Sequence, residues 1–449
     1  MPIAVDGAAL AKSRGTGLST HARLLAQALL DLGAEVEILY GAPHPGPGDM
    51  PAQISIADVP APASRSRYQR LRSLVPTLEP PRTARWPAAA TRVSLGDAIN
   101  MADSGLLDTG GSALYLRNGF ARAWAHFIAY RRLLPVRLPP DVPVVHWSQP
   151  LPLYATNAVN IYSVLDLIPL RMPYATTDHV GLHWSLVREN LRHADLVVTP
   201  SEATRRDLLD LYNPKRTPIV TLPLGVPAPA PLPPNTWQPI LRKAYGLEPD
   251  QYFLAVGELQ PRKNYERLLD AFLTSTVTMP LVIVGPEGWR AERELEVLAQ
   301  LAATRGQHAP EGTAADDRRY PSPVRYLGYV SPAHLDALFR GARALLFPSL
   351  AEGFGLPIVE AFARGTPVLT SVGGATEEIA AQAAVLVDPR STPSLRTAIE
   401  TLARDTTLCD HLVDAGRRRF ADFSTDAFAR RLRDTYTATG LVRFLSKTT

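Results

Sequence analysis

Apolar positions switch between two periods along most of the chain. Ile3-Ala4-Val5 is a short apolar run; Leu24, Leu25, Ala28, Leu29 and Leu32 then recur at helical spacing until Gly33. Val36-Glu37-Ile38-Leu39-Tyr40 returns to an extended apolar run. The pattern predicts a strand, a helix over 18–32 and a second strand, with Lys12 to Gly17 as a flexible loop. Such a βαβ unit implies a parallel sheet with a right-handed crossover. Periodicity is weak from 41 to 92, and no element is assigned there. Strands follow at 142–146, 158–165, 196–199 and 219–222, with helices at 179–193 and 202–212, the latter capped by Ser201.

The rhythm restarts past the midpoint. Strands at 252–256, 281–284, 324–327, 344–347, 367–370 and 384–387 alternate with helices at 264–273, 291–304, 332–340 and 357–364, and 306–323 reads as a polar surface loop. This alternation is the pattern of a doubly wound α/β domain. Seven prolines fall between Pro223 and Pro239, a density that predicts a stiff linker without helix or internal strand. The expectation is an α/β chain of two units, 1–225 and 240–425, joined by a linker at 226–239.

Composition narrows the function classes. The 449 residues suit two or three domains. With 47 Lys and Arg against 43 Asp and Glu, the net charge of +4 is too balanced for a dedicated nucleic-acid binder. The hydrophobic share of 46% excludes a wholly disordered chain. The single cysteine, Cys409, excludes an internal disulfide and a thiolate-rich zinc site and fits a reducing cytoplasm. No apolar run approaches the ~20 residues of a membrane-spanning helix, and the N-terminus lacks the pattern of a signal peptide. The 42 prolines, about twice the usual share, belong partly to the linker and partly to the irregular stretch before residue 92.

Two segments carry candidate chemistry. In Pro348-Ser349-Leu350-Ala351-Glu352-Gly353-Phe354-Gly355-Leu356-Pro357-Ile358-Val359-Glu360, two glutamates stand eight positions apart, the first in a glycine-flanked loop and the second in the expected opening turn of a helix. Gly353 and Gly355 allow close backbone approach to a ligand, and a carboxylate suits paired sugar hydroxyls. The alternative is an acidic helix start that favours its dipole. In Val256-Gly257-Glu258-Leu259-Gln260-Pro261-Arg262-Lys263-Asn264, a strand ends at a glycine and two cations are expected to open the next helix. A planar fork beside a point charge suits a diphosphate whose charge grows as a bond breaks. A solvated helix start fits poorly, because positive charge opposes the dipole there.

With these segments the sequence resembles the retaining glycosyltransferases of family 4, and in particular mannosyltransferase-like members of polysaccharide biosynthesis. The resemblance extends through Leu281-Val282-Ile283-Val284-Gly285, Arg325-Tyr326-Leu327-Gly328-Tyr329-Val330, Gly365-Thr366-Pro367-Val368, Asp166-Leu167-Ile168-Pro169 and Val198-Thr199-Pro200-Ser201-Glu202-Ala203-Thr204. It implies the GT-B architecture, two facing Rossmann-like domains with a cleft between them, and a C-terminal helix from 426 that packs back on the first domain. It also implies that Arg262 and Lys263 hold the donor diphosphate and that Glu352 faces the donor sugar. Backbone N–H groups around Phe354 and Gly355 would assist, with Gly257, Gly353 and Leu356 lining the donor site. Glu360 would hold the nucleotide ribose, and Gly15-Thr16-Gly17 would face the phosphates from the first domain. Relatives often carry His directly before the Asp-Leu-Ile-Pro run; here Leu165 stands there, and Asp166 is the polar group on hand, either in catalysis or as a loop cap. His146 is either the hydrogen-bond donor that stands in for that histidine or, as the more common case, a structural core histidine.

No metal is expected: the chain has no Asp-x-Asp, and His179 and His183, which share a helical face, lack a third ligand. Apart from the nucleotide sugar as co-substrate no cofactor is expected; GDP-mannose is the leading donor, with UDP and dTDP sugars open. The acceptor side shows two basic stretches with interleaved aromatics, from Ser64 to Arg92 and from Gly119 to Leu134. In the second, Phe120, Trp124, Phe127 and Leu134 fall near one helical face with Arg122, Arg131 and Arg132 as cations. They suit either a lipid-diphosphate-linked glycan acceptor on the inner face of a membrane or an ordinary core helix with solvated arginines. Two rivals remain: a catalytically inactive scaffold of the same fold, and a nucleotide-dependent oxidoreductase, whose glycine fingerprint fails at Thr20 although Glu35 and Glu37 lie near the required spacing.

Overall fold

The computed structural model describes residues 1–10, 17–41, 87–94, 112–176, 179–288 and 323–441, with 295, 296 and 300 besides. The expected loop over 12–16, most of the helix over 291–304, the loop over 306–322, the basic stretch over 64–86 and the terminus after 441 lie outside the described residues.

The first half builds an eight-stranded sheet from β1 (Ile3–Asp6), β2 (Val36–Tyr40), β3 (Thr91–Ser94), β4 (Ser112–Tyr115), β5 (Val144–Trp147), β6 (Val159–Ser163), β7 (Leu196–Thr199) and β8 (Ile219–Thr221). Their order is β8-β7-β6-β5-β1-β2-β4-β3. Only β3 and β4 pair antiparallel. Helices α1 (Gly17–Asp31), α2 (Gly119–Tyr130), α3 (Val180–His193) and α4 (Glu202–Tyr212) belong to this half. Separate apolar clusters, one containing Ile3, Val5, Leu25 and Ile38 and the other Ala4, Leu39, Val145 and Tyr162, cover the two faces of the sheet, as parallel strands require.

The second half repeats the plan. Strands β9 (Phe253–Val256), β10 (Leu281–Val284), β11 (Val324–Tyr326), β12 (Ala344–Phe347), β13 (Val368–Ser371) and β14 (Val385–Val387) form an all-parallel sheet ordered β11-β10-β9-β12-β13-β14. Around it lie α5 (Pro234–Ile240), α6 (Tyr265–Leu273), α7 (Pro332–Gly341), α8 (Leu356–Arg364), α9 (Gly374–Ala380), α10 (Thr392–Arg404) and α11 (Thr406–Phe420); a last helix, α12 (Thr425–Ala438), follows them in the chain.

Two expectations are corrected. The proline-dense stretch does hold a helix, α5. Pro234 takes the first helical position, where no N–H is needed, and in so short a helix Pro239 removes few hydrogen bonds. Trp237 and Ile240 pack on the second-half core, which offsets the poor intrinsic propensity. Leu134 is not on the helix of Phe120, Trp124 and Phe127: Arg131 adopts φ 53° and ends α2, and Leu134 starts a strand, Leu134–Arg137.

The last helix returns to the first half. Val226 N–H donates to Phe423 O at 2.8 Å, so the outgoing and returning segments run side by side. Phe428, Leu432 and Tyr436 of α12 then enter the cluster beneath α1. His146 on β5 is buried within this packing, bonded through Nδ1 to the Tyr436 hydroxyl at 3.1 Å and through Nε2 to Ser163 Oγ at 3.0 Å. Burial, with a smaller contribution from His21, pulls its pKa down to about 3, which fits a neutral structural histidine.

Candidate active site

In the second sheet the strand order reverses between β9 and β12. Ligands of open parallel sheets bind outside the carboxyl ends of the strands at such a point, and the two chemistry-bearing segments are the loops that leave these two strands. Gly257, at the end of β9, has φ 148°. Its position is crowded from below: a Cβ on Gly285 would sit 2.0 Å from Gly257 O, so glycine at 285 lets the loops after β9 and β10 touch. The chain then makes one 3-10 turn, Pro261–Lys263, closed by Asn264 at φ 65°. Arg262 and Lys263 therefore sit on a separate turn ahead of α6 and not in its first turn, and the dipole argument does not apply to them. The Asn264 side-chain amide donates to Pro348 O at 3.1 Å and Pro389 O at 2.7 Å, and Leu350 N–H donates to Arg262 O at 2.7 Å. These bonds lock the two loops together.

The result is a compact charge cluster. Arg262 Nη1 donates to Glu352 Oε2 at 2.7 Å, and Lys263 Nζ to Glu352 Oε1 at 2.6 Å. Lys263 Nζ also lies 4.6 Å from the centre of the Phe347 ring. Burial pushes the Glu352 carboxyl up, but the Lys263 ammonium and Arg262 guanidinium outweigh it and bring the pKa down to about 2. Burial lowers the Lys263 pKa, with Glu352 opposing. The bonded cluster holds two cations and one anion, with the Asp166, Glu258 and Glu360 carboxyl groups on the same cleft.

Gly353 follows Glu352 and touches the other half of the molecule: a Cβ there would lie 1.9 Å from Leu165 O and 2.8 Å from Asp166 Cβ. Gly355 has φ 107° and precedes α8, which opens at Leu356 with Pro357 second. Glu360 is thus the fifth helical residue, one position deeper than expected and just past the opening turn. Burial raises its pKa, offset in part by Arg364, and its side chain lines the same cleft.

That cleft has a volume of about 600 Å³. Arg262, Lys263, Gly257, Glu352, Gly353, Phe354, Gly355, Leu356 and Glu360 line it from the second half, and Gly17, Thr20, Leu165 and Asp166 from the first. Of the expected glycine loop, Gly17 opens α1 and lines the cleft, while Gly15 and Thr16 lie outside the described residues. Asp166 Oδ1 accepts the Ile168 N–H at 3.1 Å, so the carboxylate both caps a turn and faces the cleft. Burial raises its pKa against the pull of Arg262.

A second cavity of about 310 Å³ adjoins the cleft and shares Leu18, Leu165 and Asp166 with it; Trp124, Gln149, His179 and His183 are among its other walls. His179 Nδ1 caps α3 by accepting Leu182 N–H at 3.3 Å. Among the described residues no group of three or more His, Cys, Asp or Glu side chains is arranged to hold a metal. Gln149, Thr20 and Glu258 escaped sequence reasoning; Gln149 and Glu258 stand just past strands whose carboxyl ends face the cleft, and Thr20 lies near the start of α1. Glu37, the acid that an oxidoreductase would need free, accepts from Arg92 Nε at 2.5 Å, Arg92 Nη2 at 3.0 Å and Ser112 Oγ at 2.8 Å. It is structural. Arg92 is likewise not a free surface cation.

The sequence pattern of the glycosyl transferases group 1 matches residues 238–419, and that of the glycosyl transferase 4-like domain matches residues 16–225. The chain belongs to glycosyltransferase family 4. The O-antigen chain mannosyltransferase B of Escherichia coli is similar to this chain, 33% identical over 231 residues, which are 50% of this chain and 56% of that one. The D-inositol 3-phosphate glycosyltransferase of Salinispora arenicola is 30% identical, over 54% of each chain. The chain thus spans about half the length of these curated relatives. Its fold is GT-B. The sucrose-phosphate synthase of Thermosynechococcus elongatus superposes with a TM-score of 0.61 at 18% identity, covering 97% of this chain and 98% of that one. WaaG, a glycosyltransferase involved in lipopolysaccharide biosynthesis, does so at 0.56 and 16% identity, covering 97% and 99%.

Proposed function

We propose that this family 4 protein is a retaining, metal-independent glycosyltransferase that moves a hexose from a nucleotide sugar to a glycan or lipid-linked glycan acceptor. The observation that carries the reading is the Arg262–Glu352–Lys263 cluster, set at the strand-order reversal and opening on a cleft shared with Asp166. When the bond from the sugar to the diphosphate breaks, the leaving oxygen gains charge. Arg262 and Lys263 are the groups placed to neutralise it in a water-poor site, the part a divalent cation plays elsewhere. Glu352 would exchange part of its hold on the cations for hydroxyls of the donor sugar, and Glu360 would take the ribose. The proton of the acceptor hydroxyl would pass to the departing phosphate oxygen on the same face, which gives retention without a separate protein base. Asp166, between the two cavities, would orient the sugar and the incoming hydroxyl.

The smaller cavity supports an acceptor subsite, with Trp124 as an apolar wall and Gln149, His179 and His183 as polar groups. The two catalytic units would run over 1–225 and 240–425. Mannose from GDP is the first donor to test, because mannosyltransferases recur among the relatives; HepE of Anabaena, of the same fold, was solved with UDP and glucose. Among the described residues no helix is long and apolar enough to cross a membrane. A cytoplasmic site of action, peripheral on the inner membrane face, is part of the proposal, with Arg122, Arg131 and Arg132 on or beside α2, the helix that supplies Trp124 to the acceptor cavity, as its cations.

A thermal-shift screen against GDP-, UDP- and dTDP-sugars tests this reading. One base is expected to raise Tm at saturating ligand, because binding to the folded state alone stabilises it. Absence of any shift with all three, at concentrations up to several millimolar, counts against it. Product that carries inverted anomeric configuration would overturn the retaining assignment.

A further inference from the structure

The Val198-Thr199-Pro200-Ser201-Glu202-Ala203-Thr204 segment lies outside the charge cluster, yet it reaches the donor loop directly. Ser201 Oγ donates to Gly353 O at 2.7 Å, and Thr204 Oγ1 donates to the same carbonyl at 3.1 Å. Both hydroxyls are buried. Ser201 Oγ also accepts the Thr204 N–H at 3.1 Å and lies 3.1 Å from Thr204 Oγ1, so the two hydroxyls and the Gly353 carbonyl form one bonded cluster. The segment is itself fastened to the second half. The Glu378 carboxylate, on α9, accepts Glu202 N–H at 2.8 Å and Ala203 N–H at 2.9 Å. With the Ser201 cap, the first three N–H groups of α4 are all paired, so this helix end is a fixed anchor and offers no free donor to a ligand.

The consequence lies in the peptide plane. In a trans peptide the C=O and the following N–H point in opposite directions. Two hydroxyls holding Gly353 O toward α4 therefore turn Phe354 N–H away from it. The Phe354 ring is pinned separately, edge-on to Phe423 with centroids 5.6 Å apart, and the glycine is pressed against Leu165 O. Phe354 and Gly355 line the cleft, and their N–H groups have no hydrogen-bond partner among the described residues.

We infer that Ser201 and Thr204 are positioning residues: they fix the Gly353–Phe354 peptide so that the amides of Phe354 and Gly355 face the part of the donor beyond its first phosphate. The inference rests on the donor site proposed above. It makes the donor loop of one half dependent on two hydroxyls of the other. Without them the peptide can rotate, and an amide donor aimed in advance becomes one that must be ordered on binding.

The test compares affinities by calorimetry for GMP, UMP and dTMP against GDP-mannose, UDP-glucose and dTDP-glucose, in the wild type, Lys263→Ala, Thr204→Val and Ser201→Ala/Thr204→Val. Thr204→Val keeps shape and leaves the Ser201 cap intact, so it carries the test if the double variant fails to fold. For whichever base binds, Thr204→Val is expected to weaken the nucleotide sugar about tenfold and leave the monophosphate unchanged. The double variant should weaken the sugar nucleotide further, and Ser201→Thr, which keeps a hydroxyl, should bind as the wild type does. A cap with only a structural role would lower Tm and shift both ligand classes together. Wild-type affinity for the nucleotide sugar in both hydroxyl variants, with loss in Lys263→Ala, overturns the inference and leaves the donor site standing. Unchanged affinity in Lys263→Ala, or no binding by the wild type, overturns the donor site itself.

Discussion

Glu352 occupies the place where substrate charge would fall, and it holds both cations while it does so. On the proposed donor reading, a diphosphate brings more negative charge than one carboxylate and would compete with Glu352 for Arg262 and Lys263. Replacing Glu352 with Gln removes the carboxylate bonded to both cations and leaves only the more distant charges of Asp166 and Glu258; breaking a buried pair costs about 3–5 kcal/mol, and the partial exposure of Arg262 places this case toward the lower end. The Glu352→Gln protein should therefore melt lower than the wild type when empty, yet gain a larger Tm increment from saturating nucleoside diphosphate. An equal or smaller increment would show that the carboxylate and the diphosphate do not share the cations. The pH dependence has a definite sign. The folded-state pKa of about 2 lies below the ordinary 4.5, so the stabilisation from Glu352 is complete above about pH 4.5 and fades as pH falls toward 2. The stability gap between wild type and Glu352→Gln should close over that window in acid titrations. A gap that stays constant down to pH 2 would contradict the charge cluster.

Among the elements, those whose periodicity and caps agree were legible in the sequence. Ser201 caps α4 as its position suggests, accepting Thr204 N–H, and Gly33 and Gly365 follow the ends of their helices. Elements decided by tertiary contact were not. Helix α5 survives two prolines because Trp237 and Ile240 are packed, and the residue-level pattern holds no trace of the partner they pack on. The turn bearing Arg262 and Lys263 is detached from α6 by the φ of Asn264, a conformation that the residue type permits and does not announce. The returning helix α12 reads as a plain amphipathic helix; that Tyr436 meets His146, 290 positions away, is visible only in three dimensions. Tyr436→Phe removes this bond and leaves His146 Nδ1 buried without its partner, at an expected cost of about 1–3 kcal/mol. Chemical denaturation should show the loss with the m-value unchanged; equal stability would mean that the helix is held by its apolar face alone.

At the scale of the molecule, two sheets, the second all parallel and the first parallel but for its β3–β4 edge, contribute the loops that line one cleft. The strand–helix alternation was enough to foresee two such sheets, and the second half is the more legible because its two motifs fall at the strand-order reversal. Which groups meet across the cleft was not readable: Ser201 and Gly353 are 152 positions apart, and Leu165 is apolar where relatives carry a histidine. The Leu165 carbonyl packs on Gly353, so that position has a steric part in joining the halves whatever its side chain.

The central claim is that Arg262 and Lys263 bind the diphosphate of a nucleotide sugar in this cleft. Calorimetric titration of the wild type and of Arg262→Ala/Lys263→Ala with the nucleotide sugar that stabilises the protein tests it most directly. The account predicts saturable one-site binding by the wild type, and a loss of about a hundredfold or more in the double variant, in keeping with truncation of two charged hydrogen bonds. Binding of equal strength in a folded double variant would contradict it.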